Sequence, residues 1–333
     1  MMPTLDSDSV AALLARVVGC SDVTELRRTL SQSLRAGQAK WLRLDGLSVN
    51  SLRAHDALQT SLRSFGTFGD LGLQQPSIVV LDWGSAFPGD ADGLAFFPIL
   101  SRLLIAAGAK VIACMPRSSN LASIVEKSDC VPLAGDGIAW IPGVPGVPGS
   151  YEPVAPVILL PKGKGQGLSA LLNGVEQRMC DIGCSNAIAL TSSLIVELIQ
   201  NVQAHSDCTY AGIGTVLLKR RRPPVLQVGI ADDGVGMAVN LLSQARHAWL
   251  GQFSDATVAE TTLAHEMSGR EVGQGGSLGA LMRTFLGETC SRVILRTGTA
   301  HLSMSSEEPH AYRKRSLTYG VGTQLLVEIK TDS

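Results

Sequence analysis

Two continuous apolar runs, SIVVLDW at residues 77–83 and AKVIACM at 109–115, are typical of buried strands. WLRLDGLSV (41–49) alternates instead, as a half-buried strand does. Helical spacing of Val10, Leu13, Leu14, Val17 and Val18 predicts a helix within residues 8–36, and further helices are predicted over 93–107 and about 118–127. Strands alternating with helices predict an α/β domain whose strands are at least partly parallel.

The pattern breaks at residues 142–167, PGVPGVPGSYEPVAPVILLPKGKGQG, where proline and glycine cannot sustain a helix and would punctuate any strand. A domain boundary is placed there, although VAPVILL could be a short edge strand. The expected organisation is an N-terminal domain over 1–141, a linker over 142–166 and a C-terminal domain over 167–333. Beyond the linker, helices at about 167–181 and 187–206 precede a hairpin-like pair, YAGIGTVLLK and VLQVGIAD, joined by RRRPP. A long polar, partly helical stretch runs to about 272, and GQGGSLG then opens an apolar helix. The strands SRVILRTG and GTQLLVEI close the chain. Helices followed by a mostly antiparallel sheet predict an α+β sandwich, so the fold class is α/β followed by α+β.

Composition removes several functions. The 333 residues are 45% apolar and 17% charged, a globular composition, and with a net charge of −1 no basic excess argues for nucleic acid as the main partner. The most apolar stretch is interrupted by Pro98, Arg102 and Lys110, so no membrane span is expected. The opening MMPTLDSDSV lacks a basic region followed by an apolar run, and seven scattered cysteines suit reduced thiols, so a cytoplasmic protein is expected.

Four motifs can carry chemistry. On the helix containing ELIQNVQAHS, Ile188, Ile195, Leu198, Ile199 and Val202 share one face. Glu197, Asn201 and His205 run beside that face, advancing about 40° per step. This is either an ordinary helix with polar flanks or a stripe lining a cleft, where an amide oxygen and phosphates suffice for Mg²⁺ and a carboxylate one turn away can act as a base. In IADDGVGM a strand runs into Asp232, and Gly234 and Gly236 allow a tight turn and a close approach to a ligand. Its plain alternative is an Asx turn. In GQGGSLGALMRTF, Gly273, Gly275, Gly276 and Gly279 precede or open a helix, where backbone N–H groups can cradle phosphate, yet no P-loop or dinucleotide fingerprint is present. In GVGTQLLVEI, Thr323 offers a hydroxyl at a strand start.

Together, in this order and spacing, the motifs of residues 167–332 resemble the GHKL ATP-binding fold, the superfamily of gyrase, the ninety-kilodalton heat-shock chaperone, histidine kinases and the mismatch-repair MutL proteins. The resemblance implies that Asn201 binds Mg²⁺ and that Glu197 is the general base or orients water. Asp232 would bind the adenine amine of ATP in a pocket shaped by Gly234 and Gly236, with Thr323 in support. Residues 237–272 would form a mobile lid, and Gly273, Gly275, Gly276 and Gly279 would meet the phosphates, although GQGGSLG departs from the compact glycine motif of many histidine kinases. Arg270 could reach the γ-phosphate or be a solvated arginine.

No histidine lies between His55 and His205, which speaks against an ordinary sensor kinase with its upstream acceptor histidine. Glu197, Asn201 and His205 look most like the helix of the anti-sigma-factor serine kinases, whose substrates are STAS-domain proteins. SIVVLDWGSAFPGDADGLAFFPIL in turn resembles the STAS pattern, with Asp90-Ala91-Asp92-Gly93-Leu94 where that family has its phosphorylatable serine. Asp92 is then either a helix cap or a permanent mimic of the phosphorylated state. The resemblance thus implies ATP hydrolysis or phosphoryl transfer to a protein of the STAS or sigma-factor pathway. A non-catalytic ATP-gated switch is the alternative, and a homodimer stays open. Cys180, Cys184, His205 and Cys208 lack zinc-site spacing, and Lys219–Arg222 reads as a solvated turn.

Overall fold

Runs that are apolar throughout need cover on both faces, and parallel strands connected by helices obtain it. In the computed structural model the first half of the chain does this with β1 (Ala39–Arg43), α1 (Leu52–Arg63), β2 (Ile78–Asp82), α2 (Ala91–Ala106), β3 (Lys110–Cys114), α3 (Ser119–Lys127), α4 (Cys130–Leu133) and β4 (Ile138–Ile141). The four strands form one parallel sheet in the order β1-β2-β3-β4. The structure describes residues 32, 39–44, 48–50, 52–63, 78–83, 90–114, 116, 119–134, 138–141, 151–160, 168–205, 208–218, 223–265, 277–289, 291–317 and 322–330. The helix expected within 8–36 lies outside them. The strand expected over 41–49 stops at Arg43, and Ser48–Asn50 form a bend and turn.

The second half comprises β5 (Tyr151–Leu160), α5 (Leu168–Asp181), α6 (Ile188–His205), β6 (Ala211–Leu218), β7 (Val225–Asp232), α7 (Met237–Leu242), α8 (Asp255–Ala264), α9 (Ser277–Glu288), β8 (Ser291–Thr297), β9 (Ala300–Ser305), β10 (Glu308–Ser316) and β11 (Thr323–Lys330). Its seven strands form one antiparallel sheet in the order β10-β9-β8-β11-β7-β6-β5. The chain is therefore mixed α/β, a parallel sheet followed by an antiparallel one. The VAPVILL segment belongs to β5, the edge strand against β6.

Side chains alternate across a strand, and the two faces of the large sheet meet different partners. Leu226, Val228, Ile230, Leu325 and Val327 share a core with Leu171 and Val175 of α5, Ile195, Leu198 and Ile199 of α6, and Met282 and Phe285 of α9. Val216, Val225, Ala231, Ile294 and Leu326 point the other way, into a core with Leu94, Ala95 and Phe97 of α2 and with Val79, Leu81 and Val111 of the parallel sheet. Helix α2 thus lies between the two sheets and is buried over most of its circumference.

Glycine permits this docking. A Cβ on Gly229 would fall 1.9 Å from the backbone nitrogen of Asp92, and one on Gly214 would fall 2.4 Å from the carbonyl of Ala91. A backbone-to-backbone approach this close requires strands without side chains at those points. No helix among the described residues is long and apolar enough to cross a membrane.

Candidate nucleotide site

Asp232 ends β7 on the face that carries Val228 and Ile230, so it lies on the side covered by α6 and α9. Its register partner on β11 is Thr323, which pairs on its other side with Thr297 of β8. Asp232 Oδ1 accepts from the Gly234 amide at 2.8 Å and from the Thr323 amide at 3.1 Å. The first contact is an Asx turn, and the second fastens the turn to the neighbouring strand. Among the described residues no donor is bonded to the second oxygen. Burial pushes the carboxyl up to about 7, against the pull of those two amides and of the Arg296 charge. The neighbouring Asp233 accepts from the Tyr210 amide at 2.8 Å and ties the turn to the start of β6.

Two positive-φ glycines shape this corner. Gly236, at φ +82°, precedes α7, and a Cβ there would lie 3.0 Å from the Gly298 nitrogen. Gly322, at φ +61°, is more confined, because a Cβ there would fall 1.8 Å from the Asp232 carbonyl oxygen. Thr297, absent from the expected site, joins the parts: its Oγ1 accepts from the Met237 amide at 2.6 Å and lies 3.2 Å from Thr323 Oγ1. A buried threonine in the RTGT turn looks like any β-branched strand residue in sequence, and only the pairing of β8 with β11 gives it this position.

On α6, Asn201 Nδ2 donates to the Glu197 carboxylate at 2.9 Å and to the Glu197 carbonyl at 2.8 Å. The spacing expected of an acid and an amide one turn apart therefore yields a bonded pair. Glu197 also lines an open cleft of about 380 Å³ with Ser192, Ser193, Val196 and Leu281, between α6 and α9. The backbone of His205 closes α6.

Of the glycines expected at phosphate, Gly273, Gly275 and Gly276 lie outside the described residues, as does Arg270. Gly279 sits in the first turn of α9, where a Cβ would fall 1.9 Å from the Leu263 carbonyl oxygen, so it lets the end of α8 close against α9. Arg283 donates to the same carbonyl at 2.8 Å. Residues 237–265 of the expected lid form α7, a 3₁₀ turn (Ala245–Gln252) and α8 around Ala238, Leu241, Leu250 and Val258. Asp255 anchors α8 by accepting from Thr299 N at 3.1 Å and Thr299 Oγ1 at 2.7 Å.

Asp92 neither caps α2 nor meets solvent. It lies fully buried in the first turn and accepts from Ser48 Oγ and the Val49 amide, each at 2.9 Å. Among the described residues no cluster of histidine, cysteine and carboxylate is arranged to hold a metal, and Cys180, Cys184 and Cys208 are in no disulfide. No protein-family model matches the chain, and no curated protein matches it.

Proposed function

We propose that the chain binds ATP with Mg²⁺ beside Asp232 and turns it over, by hydrolysis or by phosphoryl transfer to a hydroxyl of a protein partner. The observation that carries this reading is the Asp232 carboxyl, buried at a strand end with one oxygen held by two backbone amides. Its other oxygen is suited to accept from the exocyclic amine of adenine, and Gly234, Gly236 and Thr323 keep bulky side chains away from that corner. The order of motifs that resembles the GHKL fold supports the same assignment.

The donor set also fits the metal. With Nδ2 of Asn201 engaged by Glu197, the amide keeps its carbonyl oxygen for a hard cation. An ion held there would offset the phosphate charge that develops during transfer. Glu197, oriented by Asn201, would take the proton of the attacking oxygen. That oxygen bonds to the γ-phosphorus as the bond to the β,γ-bridging oxygen breaks, and ADP leaves. The cleft lined by Ser193, Val196 and Leu281 would admit the acceptor. Gly279 has its own reason in helix packing, so Gly273, Gly275 and Gly276 are the glycines proposed to meet phosphate. The partner proposed is a STAS-domain or sigma-factor-pathway protein.

A second reading, an ATP-gated switch without turnover, is favoured by the position of α2 behind the same strands that carry Asp232 and Thr323. Closure over nucleotide at one face would then be felt at the other. The chain incubated with γ-labelled ATP and a lysate separates these readings. Label on a partner means a kinase, free phosphate means an ATPase, and neither, with nucleotide-dependent capture, means a switch. Glu197→Gln is expected to bind ATP and lose turnover by at least about a hundredfold. Unchanged turnover in that variant would remove Glu197 from the chemistry.

A further inference from the structure

Thr191, Ser192 and Ser193 place three hydroxyls in succession on α6, each about 100° further around its axis. They meet three different surroundings. Thr191 is buried in the helix interface. Ser192 donates to Glu176 Oε1 of α5 at 3.3 Å. Ser193 is exposed on the open cleft between α6 and α9, and among the described residues nothing is hydrogen-bonded to its hydroxyl.

Ser193 stands one turn before Glu197, which lines the same cleft. Residues four apart on a helix point about 40° apart, with Cβ atoms about 5–6 Å from each other. Asn201, one turn further on, donates to the Glu197 carboxylate at 2.9 Å. A hydroxyl, a carboxylate and an amide thus follow one another along a single stripe of α6. Val196 and Leu281 supply apolar walls beside them.

We propose that Ser193 is an internal phosphoryl acceptor, modified by the ATP site of the same molecule. This rests on the reading of ATP as donor and Glu197 as base. Ser193 Oγ bonds to the γ-phosphorus as the bond to the β,γ-bridging oxygen breaks. Glu197 takes the hydroxyl proton, and ADP leaves. A hydroxyl fixed on the same helix as the base acts at high effective concentration and needs no second encounter. Ser192 is the poorer acceptor, because its proton is already committed to Glu176.

The product changes the cleft. A phosphoserine carries about −1.5 to −2 charges at pH 7, and like charges four residues apart on a helix repel. Phosphate on Ser193 therefore sets a second anion beside Glu197 and occupies the space through which another acceptor would enter. The modification limits itself to one phosphate per chain and closes the cleft to a partner's hydroxyl.

Peptide mass spectrometry of the full chain, first dephosphorylated and then incubated with Mg²⁺ and ATP, tests this. Wild type is expected to gain one phosphate, on Ser193, at a rate per chain that does not change on dilution. Ser193→Ala is expected to lose the label, and Ser193→Thr to carry it on the new hydroxyl. Glu197→Gln is expected to be labelled at least about a hundredfold more slowly. No phosphate on Ser193, equal labelling of wild type and Glu197→Gln, or a rate per chain that falls on dilution overturns the proposal. Calorimetry with ATP on the same wild-type chain tells two failures apart. ATP bound without phosphate on Ser193 removes the internal acceptor and leaves the nucleotide reading standing, whereas no binding of ATP removes both.

Discussion

Asp232 is held by its neighbours' backbones, and this makes its surroundings sensitive to single atoms. Gly322→Ala places a methyl group 1.8 Å from the Asp232 carbonyl oxygen at a positive φ. The expected cost is at least about 1–3 kcal/mol in urea denaturation, larger than the conformation alone would impose. The carboxyl gives a second prediction. Its raised value of about 7 means that the folded chain holds a proton the unfolded chain has released above about 4. Its contribution to stability is therefore lost as pH rises from about 4 to 7. Asp232→Asn, which cannot ionise and keeps an oxygen for Gly234 and Thr323, lacks this slope. Between pH 5 and 8 its stability relative to wild type is expected to shift in its favour by about 2–3 kcal/mol. Equal slopes in the two proteins would show that Asp232 titrates normally. These pairings left faint traces in sequence: Asp232, Gly234 and Thr323 stand in recognisable turns, whereas Thr297 acquires its role only through strand pairing.

At the level of elements, the apolar runs and helical spacings located β2, α2, β3, α5, α6, β6, β7, β8 and β11 to within a few residues. Strands β9 and β10 were harder to read. Glu308–Ser316 contains Pro309 and the run Arg313, Lys314, Arg315, its pairing with β9 shifts register between Glu308 and Arg313, and it lies at the sheet edge, where charge and proline also discourage further pairing. The docking of α2 had a signal of its own. A helix apolar on all sides needs two partners, and glycines at 212, 214 and 229 inside otherwise apolar strands mark where one of them approaches. Gly229→Ala is accordingly expected to destabilise the chain by several kcal/mol, roughly the scale of overpacking or more. Gly287→Ala, on an exposed turn of α9 with nothing within 4 Å, is expected to stabilise it by up to about 1 kcal/mol. Thermal unfolding of both variants checks the contrast, and equal effects would mean that α2 does not sit against β7.

Across the whole molecule, one antiparallel sheet serves two purposes. One face bears the helices with Glu197 and Asn201 and ends in Asp232 and Thr323, and the other is occupied by α2 and the parallel sheet behind it. The two-part order of the elements was legible from alternating and continuous apolar runs. The joint was not, because it depends on polar residues far apart in the chain, such as Asp90, Gln227 and Glu328, whose proximity no local spacing encodes. Recognition of adenine by Asp232 is the claim on which the functional reading rests. Calorimetry of the full chain with Mg²⁺ and ATP tests it most directly, with GTP and Asp232→Asn as comparisons. The expected result is binding of ATP by the wild type, weakened at least about tenfold in Asp232→Asn and for GTP, whose base presents a carbonyl where adenine has its amine. Equal binding of ATP by wild type and Asp232→Asn would contradict it.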